Sequence, residues 1–413
     1  MRDLSAEPAH RPVDPGTPPA AMRNGRLAHA ALALGVVGWL ASALALLVWG
    51  RGWNLDLRVY LAAGHALLQG SPVYALRFTE RSLPFSYPPF ALAALSPLSL
   101  LPQGLVEVLW WVLNAVALTA TVWCGLDELE LERVARLELA VGVGGVAALV
   151  LEPVRNGVDY GQINVVLMLL VVADLLVVRG RARGLLVGVA SAVKLTPLYF
   201  VLYFVVARER RALATAVGSF AALTGLSWLL LPHESARYFL HELRKPDQFG
   251  GLNSVSNQAW SGILHRAPFA HVPVATLLWL VLSAATTVLA IWLATLVVQR
   301  SRLQATVVLA LAGLLVSPLS WSHHWCWLVL LPITAWQLRA HRSLLVLQVA
   351  ILACAALGPY EWFRHGASRS VASSLLCLLV AALLVWWLVV ERRERRVTAI
   401  DRGPLVGGPA VTR

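Results

Sequence analysis

The sequence predicts an all-α, polytopic membrane protein, and three observations carry that prediction. Of 413 residues, 58% are hydrophobic and only 14% are charged, well below the quarter or so expected of a soluble globular chain. The mean hydropathy is +0.68. The apolar residues gather into runs suited to crossing a bilayer, where roughly 20 residues of helix are needed, and most arginines lie between those runs. The net charge of +12 would fit a nucleic-acid partner, but arginine-rich cytoplasmic loops give the same excess in an inner-membrane protein, so no nucleic acid is expected. Cys124, Cys326, Cys354 and Cys377 lie in or beside apolar runs without disulfide or metal-ligand spacing and are read as packing residues.

Taken in order, residues 1–26 are rich in Pro, Ala and Arg, lack apolar periodicity and read as a disordered cytoplasmic tail. The run from Leu27 to Trp49 is longer than the apolar region of a secretory signal. Ala41-Ser42-Ala43 is therefore a cleavage lookalike inside an uncleaved first helix. Further crossings are expected over 104–124, 137–152, 163–178, 212–231, 272–298, 304–318, 325–338, 343–358 and 370–390, with 88–101 a short or re-entrant piece interrupted by Pro97 and Pro102. These make a single integral domain, 27–391, of 10 to 12 transmembrane helices, with outer loops at 51–88 and 232–271 and an arginine-rich cytoplasmic tail over 392–413. No internal repeat is visible.

The stretch 184–206 needs a different reading. Arg179, Arg181 and Arg183 precede it and Arg208, Arg210 and Arg211 follow it, so both ends belong on the cytoplasmic side. A straight crossing would also place the later arginine clusters at 300–302, 339–342 and 392–396 outside. We therefore expect two short helices broken at Lys194-Leu195-Thr196-Pro197. The chain has two lysines against 32 arginines, and ten residues of helix from Gly184 put Lys194 roughly 15 Å deep. A cation there needs a wet cavity or an anion, and a lipid phosphate is the anion a bilayer offers.

With this topology the polar motifs gather on the outer side. Residues Leu57, Tyr60, Leu61, Gly64, Leu67 and Leu68 recur at helical spacing, which predicts an external amphipathic helix after the first crossing, with Asp56 in its first turn. Asp56 is either a residue favoured by the helix dipole or a catalytic base at the lipid surface. Glu152 and Arg155 could form an i, i+3 ion pair, and Asp159 with Gly161 a turn. Asn257, Gln258 and Trp260 could anchor the interface. His323 and His324, in the turn 317–325, are adjacent, which is not metal spacing on a helix.

Lined up in this way, the chain resembles the polyprenol-phosphate-mannose-dependent α-1,2-mannosyltransferases of actinobacterial membranes, integral enzymes of the GT-C type. The resemblance covers nearly all of 30–390. It rests on Asp56-Leu57-Arg58-Val59-Tyr60, Leu83-Pro84-Phe85-Ser86-Tyr87-Pro88-Pro89-Phe90, Asp159-Tyr160-Gly161-Gln162-Ile163-Asn164, Lys194-Leu195-Thr196-Pro197 and 317–325. It implies a GT-C fold, Asp56 as catalytic base, and a substrate cavity lined by the other motifs, with Tyr60, Tyr87, Tyr160, Gln162, Asn164, Asn257, Gln258 and Trp260 as substrate-binding candidates. It also implies a β-linked donor and an α-linked product. Asn257-Gln258 and Trp260-Ser261-Gly262 resemble the phosphatidylinositol-mannoside enzymes of the family and several inner segments its lipomannan-branching enzymes, so the acceptor is left open between these glycolipids.

The chemistry of the residues agrees. Transfer from a lipid phosphate needs a base at the attacking hydroxyl and positive charge at the departing phosphate; Asp56 can supply the first, and Lys194, Arg155, His323 or His324 the second. One carboxylate suffices for an inverting displacement. No Asp-x-Asp pair occurs, so a nucleotide-sugar site with a divalent metal has no support; no cofactor is required on these residues and metal dependence is left open. The expected location is the bacterial plasma membrane, with both termini cytoplasmic and the site periplasmic. The rivals are a transferase using another polyprenyl-phosphate sugar or acceptor, and a lipid or small-molecule transporter, which would favour repeated halves and midplane polar groups.

Overall fold

The computed structural model describes residues 20–49, 54–244, 251–266, 272–359 and 367–401. Residues 1–19, 402–413, Lys245 and parts of both expected outer loops lie outside the described residues. The described residues are helical with no named strand, and two isolated bridges, Phe78 to Leu83 and Asn257 to Trp321, pin loops. In chain order the helices are α1 (Ala20–Trp49), α2 (Leu55–Leu68), α3 (Pro89–Leu95), α4 (Gln103–Gly125), α5 (Arg133–Val150), α6 (Glu152–Asp159), α7 (Asn164–Val172), α8 (Leu185–Val193) and α9 (Val201–Val206). They continue with α10 (Arg210–Leu230), α11 (Pro232–Leu240), α12 (Trp260–Arg266), α13 (Val272–Val297), α14 (Arg302–Val316), α15 (Leu331–Gln337), α16 (Arg342–Leu357) and α17 (Ala367–Asp401).

Five of these helices are long and apolar enough to cross a membrane, and the α5–α6 pair, bent by 83°, makes a sixth if taken as one span. Shorter apolar helices at 89–100, 164–177, 196–206, 302–316 and 342–357 fill the space between them. The chain is a multi-pass membrane protein, and its outward surface is the apolar side: Leu40, Leu44, Leu47, Leu229 and Leu277 are all more than half exposed.

α1 begins at Ala20, inside the stretch expected to be a disordered tail, and α17 continues past residue 391 to Asp401. Glu391 explains the second extension, since it is buried and accepts from Arg300 at 2.5 Å and from Trp387 Nε1 at 3.2 Å. α1 packs on α5 through glycines at helical spacing on both. A Cβ at Gly38 would fall 2.1 Å from the Gly145 carbonyl oxygen and one at Gly145 2.0 Å from that of Gly35, so the two backbones touch and no side chain fits between them.

The 184–206 stretch is broken where the sequence predicts. α8 ends at Val193, Lys194 is extended (φ −149°, ψ 135°), and a 3-10 turn over Thr196–Phe200 leads into α9. Both ends return to one place, because Arg183 before α8 pairs with Glu209 after α9. Arg183 also donates to the carbonyls of Asp174 (2.7 Å), Leu175 (3.1 Å) and Val178 (3.0 Å), while the Asp174 carboxylate accepts from the N–H groups of Gly184 (2.6 Å) and Val187 (2.8 Å), groups a helix start leaves unpaired.

The amphipathic helix is present as α2, but it is packed into the protein more deeply than a helix resting on the bilayer surface. Leu57, Val59, Tyr60, Ala63, Gly64 and Ala66 are buried, against α3 and the following turn, whereas Leu68, expected on the apolar face, is 52% exposed.

Candidate active site

Two stretches a hundred residues apart are joined first by their backbones. Asn54 is left-handed (φ 59°) and opens α2. Its N–H donates to the Asp159 carbonyl at 2.7 Å, and the N–H groups of Asp56 and Leu57 donate to the Tyr160 carbonyl at 2.9 and 3.4 Å. The orphan donors at the start of α2 are thus satisfied by the turn after α6. Gly161 makes that turn possible: its φ is +66°, and a Cβ there would stand 2.7 Å from Leu57 Cβ and 3.0 Å from Asn54 Oδ1. Trp110 Nε1 donates to the Gly161 carbonyl at 2.8 Å and fixes the turn from α4.

The side chains complete the connection. Asp56 Oδ2 accepts from Gln162 Nε2 at 2.6 Å. Gln162 Oε1 accepts from Tyr87 OH at 3.0 Å and Asn164 Nδ2 at 3.3 Å, and Tyr60 OH, which donates to Tyr87, stands 3.4 Å away. Asn164 Oδ1 accepts from Lys194 Nζ at 2.7 Å, and Nζ lies 3.1 Å from His324 Nε2. An ammonium has only protons to offer, so Nε2 of His324 is the acceptor. Asp56, Gln162, Asn164, Lys194 and His324 therefore form one continuous hydrogen-bonded chain. Burial pushes the Asp56 carboxyl up to about 6, partly opposed by the Gln162 hydrogen bond and the charges of Lys194 and Arg81.

Beside Asn164 and His324, the partners of Lys194, lies a small cleft partly open to the outside. Its lining mixes polar residues, including Asn164, His324, Ser317 and Ser320, with apolar ones, including Met168, Phe200, Leu314 and Trp327.

The other predicted residues divide. Tyr60 and Tyr87 are buried, bonded to each other at 2.8 Å and turned inward on Gln162, so they support the chain of amides from behind. The His323 ring packs edge-on against Tyr160 at 5.8 Å and against His324 at 4.8 Å, and its Nε2 is buried without a partner. Arg155 lies within electrostatic reach of Asp159, and Glu152 accepts from Asn156 Nδ2. Asn257 is fully buried: its Nδ2 has three acceptors within reach for its two protons, Leu252 O (3.0 Å), Ser261 Oγ (3.1 Å) and Pro318 O (3.2 Å), and its Oδ1 accepts from Ser320 N (3.0 Å). Gln258 donates through its backbone to Ser320 O at 2.7 Å, and Trp260 Nε1 reaches Thr286 at 2.9 Å. These residues hold the histidine turn in place. Sequence reasoning missed Asn54 and Trp110; an asparagine one residue before a helix start and a tryptophan at the same level of a neighbouring span are the signals that could have found them.

A carboxylate and a cation joined in one hydrogen-bonded unit beside a cleft call for comparison with known transferases. The profile of glycosyltransferase family 87 matches residues 85–318, more than half of the chain. The chain belongs to glycosyltransferase family 87. Among curated proteins it is 36% identical over 346 residues to a polyprenol-phosphate-mannose-dependent alpha-(1-2)-phosphatidylinositol pentamannoside mannosyltransferase of Mycolicibacterium smegmatis, covering 81% of each chain. It is 36% identical over 317 residues to a polyprenol-phosphate-mannose-dependent alpha-(1-2)-phosphatidylinositol mannoside mannosyltransferase of Mycobacterium tuberculosis, covering 73% of each. No solved structure matches it significantly. The family 87 match begins at Phe85, after α2, so Asp56 lies outside that match.

Proposed function

We propose that this membrane glycosyltransferase moves mannose from polyprenyl-phosphate mannose to a phosphatidylinositol mannoside, with inversion, forming an α-1,2 linkage with Asp56 as general base. The observation that carries this reading is that Asp56 and Lys194 belong to one hydrogen-bonded chain beside a cleft of mixed polar and apolar lining. The names of the relatives supply the donor and acceptor class.

In this mechanism the acceptor hydroxyl gives its proton to Asp56 as its oxygen bonds to the anomeric carbon of mannose. The bond from that carbon to the phosphate oxygen breaks on the opposite face, and the polyprenyl phosphate leaves with one more negative charge. Lys194, with two partners for three N–H groups, keeps a proton for that growing charge. The proton on Asp56 then passes to water. A single displacement needs no second carboxylate. Because Asp56 must be ionised, kcat/KM rises with pH through the carboxyl's value of about 6 and levels off above it.

The fold goes with a GT-C architecture of 10 to 12 crossings, in which the arginine-rich ends face the cytoplasm and the Asp56 end faces the periplasm. The test is transfer of radiolabelled mannose from synthetic polyprenyl-phosphate mannose to a panel of phosphatidylinositol mannosides and lipomannan precursors by the purified protein. Asp56→Asn, which keeps the backbone bonds of α2, lowers transfer by about 10²–10⁴-fold with expression unchanged. An active Asp56→Asn protein, or a parent that transfers to none of the panel, removes the reading. Impermeant thiol labelling of single cysteines tests sidedness: positions 159 and 322 label from outside and position 210 does not.

A further inference from the structure

Gln162 and Asn164 were expected to touch substrate, yet their side chains are largely committed elsewhere. Gln162 is buried, and its amide has a fixed sense: Oε1 faces two phenol hydroxyls and the Asn164 amide, so Nε2 is left to donate to Asp56. Asn164 is fixed in turn, because its Oδ1 faces the Lys194 ammonium and Nδ2 must point toward Gln162 Oε1. Reversing either amide would set oxygen against carboxylate at one end or N–H against ammonium at the other. The polarity of the chain is dictated by the two charges it joins, and each bond polarises the next.

We propose that Gln162 and Asn164 are positioning residues that orient the Asp56 carboxylate and couple it to Lys194, so that an anion bound at Lys194 makes Asp56 a stronger base. The proposal deepens the reading of Asp56 as general base and Lys194 as the phosphate group's partner, and rests on it. With the site empty, the ammonium draws on the Asn164 carbonyl, which strengthens donation through Gln162 and stabilises ionised Asp56. A lipid phosphate at Nζ offsets that charge and weakens the pull along the chain. The Asp56 carboxylate then holds its proton more readily when an acceptor hydroxyl arrives. The base is thus at its strongest when donor is in place.

The groups facing Asp56 are few. Lys194 and Arg81 are the charges acting on it, and the hydroxyls of Tyr60 and Tyr87 are the other titratable groups that feel it. The packed segment 89–100 carries no titratable side chain. Gln162 and Lys194 both hold the carboxyl down against burial, so loss of either moves its titration to higher pH.

The experiment is an infrared titration of the full-length protein in lipid nanodiscs, following the carboxyl band that disappears in Asp56→Asn. In the parent, farnesyl phosphate moves the Asp56 midpoint to higher pH; in Lys194→Met it does not. Gln162→Leu moves the midpoint up by roughly one pH unit without ligand. Gln162→Glu, close to the parent in shape, moves it further, since two adjacent carboxylates resist ionising together, and it carries the test if the leucine variant does not fold. Where transfer is measurable, the acid limb of kcat/KM moves with the midpoint. Unchanged midpoints in both Gln162 variants, or an equal response to farnesyl phosphate with and without Lys194, overturn the proposal. The band reports on Asp56 without turnover, so a parent that titrates as described but transfers no mannose counts against the proposed reaction alone.

Discussion

Arg183 and Lys194 bracket the same short helix, which is nine residues or about 14 Å long, and they are held in opposite ways. Arg183 is closed: Glu209 takes two of its donors and three backbone carbonyls take the rest of its fork. Lys194 is open: its immediate partners are the neutral Asn164 and His324, and the nearest carboxylate in its hydrogen-bonded chain, Asp56, lies two amides away. A buried guanidinium with every donor satisfied organises backbone. A buried ammonium held by neutral acceptors keeps charge available for something that comes and goes. The contrast separates the end of the helix that anchors it from the end that the proposed reaction uses.

The sharpest way to break the comparison is to remove each cation in turn. Arg183→Met leaves Glu209 and three carbonyls without their donor and costs on the order of 3 kcal/mol, read as a lower thermal midpoint in nanodiscs, while the folded fraction keeps its turnover. Lys194→Met leaves the thermal midpoint unchanged or higher, yet lowers turnover roughly 10²-fold and weakens donor binding; Lys194→Arg restores only part, because a planar fork does not fit a point-charge site. Equal losses of stability in both would erase the distinction. A smaller effect is expected at the histidines. His324→Ala removes an acceptor from Nζ and a polar group from the cleft, and turnover falls by about 10-fold without unfolding. His323→Ala, which removes an unpartnered ring nitrogen and an edge contact with Tyr160, changes turnover less. The smallest effect on chemistry comes from Asn257→Ala. It lies at the working end but behaves like Arg183, losing about 1–3 kcal/mol of stability and turnover only in proportion.

The sequence made the working residues easier to see than their supports. A lysine inside an apolar run of a chain otherwise supplied with arginine stands out, and the arginine clusters on both sides of 184–206 imply the break that the structure contains. Asp56 stands out because carboxylates are costly near lipid. What was not legible depends on long separations. Tyr60, Tyr87 and Gln162 meet across 75 to 102 residues, and nothing in their local pattern says that the hydroxyls face inward. Asn257 looks the same in sequence whether its amide meets a sugar or four protein groups. The arginine clusters put both ends of 184–206 together, but neither the pairing of Arg183 with Glu209 nor the three carbonyls that complete it could be read from them. Length misled at both ends, because α1 and α17 run beyond the boundaries that composition marks.

The hydrogen bonds from Asn54 and Asp56 to the carbonyls of Asp159 and Tyr160 are made entirely by main chain, and this sets how the site tolerates mutational drift. Side chains at 159 and 160 can change identity without removing either bond, so the height of the carboxylate above its glutamine is shielded from most single substitutions. The exception is Gly161, where one methyl group would meet Leu57 and Asn54 and demand a conformation that side chains resist. The placement of the Asp56 carboxylate is thus robust at the residues that look chemical and fragile at the one that has no side chain at all.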